Sequence, residues 1–120
     1  LVGCTSRGGC ISLIESSSNS FYNGNISTLA GSSVYIAGSN GINSSNNLFK
    51  DISLVGSSSS DINVSSSGNI NNSFVNATYS SSKESVYSGS ELLRKWYYIL
   101  FVNSTARASG ISNVNVTIYN

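Results

Sequence analysis

Apolar residues along this chain come in short clusters separated by Ser, Asn and Gly. Val34-Tyr-Ile36, Ile62-Asn-Val64 and Val114-Asn-Val116-Thr-Ile118 place them at every second position, the spacing of a half-buried strand. Helical periodicity is absent. The longest apolar run, Trp96 to Val102, predicts a strand buried on both faces and is far too short to cross a bilayer.

The clusters repeat. Asn-x-Phe-x-Asn/Asp occurs as Asn19-Ser-Phe21-Tyr-Asn23, Asn47-Leu-Phe49-Lys-Asp51 and Asn72-Ser-Phe74-Val-Asn76, at intervals of 28 and 25 residues. Laid over each other without gaps, the first two copies bring Ile26 onto Leu54, Val34 onto Ile62, Ile36 onto Val64 and Ile42 onto Ile70. The third copy puts Tyr79 on Ile26 and Leu54, and Tyr87 on Val34 and Ile62. It then decays, with Gly89 where Ile36 and Val64 would recur. Upstream, Ile11-x-Leu13 matches the Val-x-Ile segment of an earlier partial copy. No unit can bury its apolar side chains alone, so units must stack like over like. Phe21, Phe49 and Phe74 then form one internal column, Val34 and Ile62 a second, and Ile42 and Ile70 a third.

Repeats of this length, with Asn-x-Phe-x-Asn and Ile-x-Val segments amid Ser and Gly, resemble the right-handed parallel β-helix of pectate-lyase-like surface proteins. The resemblance spans roughly residues 10 to 90. It implies an all-β chain with a short right-handed parallel β-helix of about three coils over residues 1–90. It also implies that Asn19, Asn47 and Asn72 form a hydrogen-bonded ladder at a coil turn. Residues 91–120, with a Ser/Gly/Ala loop before Val114-Asn-Val116-Thr-Ile118-Tyr, form a C-terminal strand pair. That pair resembles the start of an immunoglobulin-like or carboxypeptidase-regulatory-like module, as found after β-helices in large archaeal and bacterial surface proteins. The alternative fold is an immunoglobulin-like β-sandwich completed by a neighbour's strand. The chain reads as mature or excerpted, since it has neither an initiator Met nor a signal-peptide core.

Charge narrows the functions. Only 9% of residues are charged and the net charge is +1, which gives no electrostatic basis for binding nucleic acid or an anionic membrane. There is no His, so the usual proton shuttle is missing. The acids Glu15, Asp51, Asp61, Glu84 and Glu91 are scattered. Asp51 stands where other copies have Asn23 and Asn76, as an interchangeable turn residue, and Asp61 follows a Ser run and reads as solvated. No catalytic residue, metal ligand or cofactor site is assigned, and the chain is read as no enzyme.

Two features point outside the cytoplasm. Asn-x-Ser/Thr acceptors for N-linked glycans occur at Asn25, Asn43, Asn63, Asn71, Asn76, Asn103 and Asn115, with Asn25 and Asn103 beside apparent turns. Cys4 and Cys10 are spaced for a small-loop disulfide, and two thiols without His make no zinc site. Leu1-Val2-Gly3-Cys4 also resembles a bacterial lipobox, which would need an apolar stretch upstream. The expected function is a non-catalytic extracellular or cell-surface structural protein, a self-associating filament subunit or cell-envelope glycoprotein. The alternative is a carbohydrate-binding adhesin or polysaccharide-cleaving β-helix, using Tyr22, Tyr35, Tyr79 and Tyr87 outside the Phe column.

Overall fold

The chain passes back and forth between two sheets. The computed structural model describes residues 2–4, 9–55 and 58–97. One sheet has the order β1 (Val2–Cys4), β3 (Ser20–Thr28), β5 (Leu48–Val55), β7 (Asn72–Val75) and β9 (Leu92–Lys95). The other has the order β2 (Gly9–Ile14), β4 (Ser32–Ala37), β6 (Ile62–Val64) and β8 (Glu84–Val86). Every one of these pairings is parallel.

The register is the repeat alignment made physical. Phe21 pairs with Phe49 and Phe49 with Phe74, Ile26 with Leu54, Val34 with Ile62, and Ile36 with Val64. Ile11 and Leu13 sit on Val34 and Ile36, so the upstream partial copy is a full partner. The three Phe rings stack with centroids 4.9 and 4.5 Å apart and planes within 10° of parallel. Phe49, Phe74, Val34, Ile36, Ile62 and Val64 are all buried between the sheets. Each such side chain is worth about 1.5–3 kcal/mol of burial, which makes these columns the main apolar support of the fold.

A polar framework runs beside the apolar one. Asn19 Nδ2 donates to Asn47 Oδ1 at 3.0 Å, and Asn47 Nδ2 to Asn72 Oδ1 at 2.9 Å. The same two oxygens accept the backbone N–H groups of Asn19 and Asn47. Asn72 Nδ2 ends the ladder on the Ser44 carbonyl. A parallel series runs from Ser16 N–H to Ser44 Oγ, Ser44 N–H to Asn69 Oδ1, and Asn69 N–H to Ser90 Oγ. These contacts satisfy backbone donors where the chain turns and cannot make sheet bonds.

Several expectations are corrected. The right-handed β-helix of the pectate-lyase type is not what forms, because the described residues make a two-sheet, all-parallel structure instead of a three-sided coil. The reason lies at Asn23 and Asp51, which hold positive φ (54° and 55°) inside β3 and β5. The strands bend there, yet pairing continues from Tyr22↔Lys50 to Gly24↔Ile52 across the bend. Both arms therefore stay in one sheet. The immunoglobulin-like alternative fails too, since such a sandwich requires antiparallel strands.

The third copy is also out of step with its expected alignment. Glu84, not Tyr87, pairs with Ile62, and Val86, not Gly89, pairs with Val64. Phe49 to Ile62 is 13 positions, but Phe74 to Glu84 is only 10, so the third unit is shortened between its strands. Ile42 and Ile70 form no column and are each 53% exposed. Ile42 belongs to a tight turn, Ser39–Ile42, in which Asn40 and Gly41 both take positive φ. Trp96 and Tyr97 are exposed, unlike residues of a strand buried on both faces, and the rest of that run and the C-terminal strand pair lie outside the described residues.

Candidate functional site

The repeat breaks at β8 and β9, and that is where its polar chemistry gathers. Arg94 occupies the rung after Phe74, and Glu84 the rung after Ile62. The two columns that are apolar through the core thus end in opposite charges, with Arg94 Nε 3.3 Å from Glu84 Oε1. The Tyr79 hydroxyl donates to the same Oε1 at 2.6 Å, while its ring meets Phe74 edge-on at 5.9 Å. Burial, then the hydrogen bond and the charge of Glu84, push the Tyr79 phenol well above its ordinary range, with Arg94 opposing. The cluster is a polar plug on the apolar core. Among the described residues it forms the last rung of the stack, with groups that are paired and partly exposed.

The outer face of the larger sheet carries a second feature. Tyr22, Lys50, Val75 and Lys95 are register partners in one line across β3, β5, β7 and β9. Lys50 Nζ lies 5.3 Å from the centre of the Tyr97 ring, and Tyr97 is the main cause of a raised Lys50 pKa. Lys95 Nζ donates to Ser73 Oγ at 3.1 Å.

The opposite end of the smaller sheet is unlike the plug. Among the described residues β2 has a sheet partner on one side only, β4. Its sequence Gly-Cys-Ile-Ser-Leu-Ile contains no Pro and no charge. Leu13 is buried in the core, and Ile14 at the end of the strand is 56% exposed.

The glycan acceptors are spread over the surface. Asn25, Asn43, Asn71 and Asn76 are exposed and Asn63 is half-buried on the smaller sheet, while Asn103 and Asn115 lie outside the described residues. Asn71 donates its amide to Asn46 and Asn76 donates to Asp51. The Asn43 amide packs over Gly68, where an added Cβ would come within 2.7 Å of its nitrogen. Asn25, exposed on β3, makes no side-chain hydrogen bond among the described residues.

Cys10 is not a free thiol, and its Sγ lies 3.4 Å from the Ser27 carbonyl oxygen. The side chain of Cys4 lies outside the described residues, so a Cys4–Cys10 bridge is not among the contacts seen. Asp51, expected at a turn, lies instead within β5, where it holds positive φ and accepts from Asn76 at 2.6 Å. Asp61 is not solvated but only 3% exposed, because its carboxylate turns inward to accept the Ser80 N–H at 2.9 Å. Among the described residues no three His, Cys, Asp or Glu side chains converge as metal ligands would.

Sequence reasoning missed the plug and the buried Asp61. Both depend on the true register of the shortened third unit, which a constant repeat length conceals.

No family profile, curated protein or solved structure matches the chain. The expected filament subunit, cell-envelope glycoprotein and carbohydrate-active β-helix all rested on the β-helix resemblance. With a two-sheet architecture and no matching family, those functions and the archaeal likeness fall with it.

Proposed function

We propose that the chain is a non-catalytic association module, working outside the cytoplasm, that binds a second copy of itself by strand addition at β2. The observation that carries this reading is the contrast between the two ends of the stack. A strand edge presents a row of unpaired N–H and C=O groups, and proteins that must stay single blunt it with charge, Pro or a bulge. β2 has none of these devices between Gly9 and Ile14. The other end carries the Glu84–Arg94 pair, which opposes burial against a neighbour. One adhesive end and one plugged end favour a closed two-fold pair in which β2 meets β2 of the second copy antiparallel.

Light scattering on the eluting protein tests this. A particle of twice 12.6 kDa is expected, and Ser12→Lys with Ile14→Lys should return it to one chain with unchanged circular dichroism. A single-chain mass at hundred-micromolar concentration would sink the reading. The location has its own test, intact mass after expression through a secretory pathway. Asn25 is the acceptor expected to carry a glycan, since its amide is exposed and unengaged, and a Cys4–Cys10 bridge should lower the mass by two hydrogens until reduced.

A further inference from the structure

Among the described residues, two buried side-chain atoms have no hydrogen-bond partner, Ser33 Oγ and Asp61 Oδ1. They are neighbours in the stack. Val34 and Ile62 are register partners, and Ser33 and Asp61 each stand one position ahead of them. The backbone confirms the alignment, since Ser33 N–H donates to Ser60 O and Val34 N–H to Asp61 O. Ser33 is fully buried and Asp61 is 3% exposed, so bulk water does not serve either atom. The other carboxylate oxygen, Oδ2, is engaged by Ser80 N–H. Lys83 follows next in the same column, its backbone carbonyl accepting the Asp61 N–H at 2.8 Å.

Buried carboxylate and hydroxyl oxygens are almost always hydrogen-bonded, to protein or to an ordered water. We propose that Ser33 Oγ and Asp61 Oδ1 form an internal site for one water molecule, which donates to the carboxylate and bonds the hydroxyl. Water suits the pair better than a metal. Two side-chain oxygens are too few for calcium, which takes six to eight oxygen ligands. A water needs only two to four polar partners, and this pair supplies two. The site links the β4 and β6 rungs at the corner where the chain enters the smaller sheet.

A high-resolution crystal structure, with thermal unfolding in sodium, potassium and calcium chlorides at equal ionic strength, tests the assignment. The expected result is one density peak about 2.6–3.2 Å from both atoms, with the same unfolding midpoint in all three salts. In Ser33→Ala the peak should be lost or held by Asp61 alone, with the midpoint lowered by a few degrees. A direct Ser33–Asp61 hydrogen bond with nothing between them would overturn the proposal. So would a midpoint raised by one cation, together with contacts to the peak shorter than hydrogen bonds.

Discussion

At the scale of single residues, chemistry concentrates on Tyr79. Its hydroxyl is bonded to a carboxylate that also holds Arg94, so ionising the phenol would place two negative charges at 2.6 Å with one cation to serve them. The folded protein therefore keeps Tyr79 protonated above its ordinary 10.0. The unfolded chain releases that proton near the ordinary value, so between the two values the native state binds more protons. Stability from this group is full below pH 10 and is lost as pH rises toward the folded value. Tyr79→Phe removes both the hydrogen bond and the titration. The variant should be less stable than the parent at pH 7, and the gap should narrow steadily from pH 10 upward in urea unfolding. A constant gap across that range would mean that the Tyr79 hydroxyl is not coupled to Glu84.

Asn23, Asp51 and Asn76, at the scale of the element, decide how the chain bends within β3, within β5 and just past β7. All three hold positive φ, which Asn and Asp tolerate better than other side chains. Asp51→Ala should cost about 1–2 kcal/mol from the left-handed backbone alone, with a further loss from the Asn76 hydrogen bond. Asp51→Asn should be nearly neutral, because it recreates the residue of the neighbouring rungs. Chemical denaturation of the two variants measures the difference, and equal losses would locate the effect in the charge, not the backbone. This column was legible in the sequence as a recurring Asn/Asp, as were the Phe stack and the Asn19–Asn47–Asn72 ladder. Identical residues stack on identical residues, so repetition alone reveals them. What repetition could not reveal was whether a bend begins a new sheet, since Asn at positive φ serves both outcomes. Nor could it show the shortened third unit. A gap-free alignment assigned Tyr87 the place that Glu84 takes, and so hid the charge that ends the core. Asp61 was misread for a related reason: a Ser-rich flank suggests solvent, but the Ser80 backbone N–H that draws the carboxylate inward is 19 residues away.

For the molecule as a whole, each described rung pairs only with the rungs before and after it, so the described residues behave as a stack with two distinct ends. The rungs are interchangeable only where their columns carry the same kind of residue. Residues 47–71 carry Phe49, Ile62 and Val64 on the core and Asn47 on the ladder, each meeting a like residue on the preceding rung. Inserting a second copy of 47–71 after residue 71 would set Phe49 on Phe49 and Ile62 on Ile62, and leave the plug at the end. The enlarged protein should unfold in one transition with a larger urea m value and higher stability, because buried area grows while the ends stay unchanged. Duplicating residues 72–91 should act in the opposite direction. It would stack two Glu84 side chains on successive rungs inside the core, with one Arg94 for both. An unpaired charge held there costs on the order of 3 kcal/mol, against a short unit that adds only one Phe to the column. The two insertions lengthen the same stack by similar amounts, so chain length cannot explain a difference in sign. If both stabilise, Glu84 and Arg94 are bystanders at a frayed end; if only the first does, the charged pair is what stops the stack.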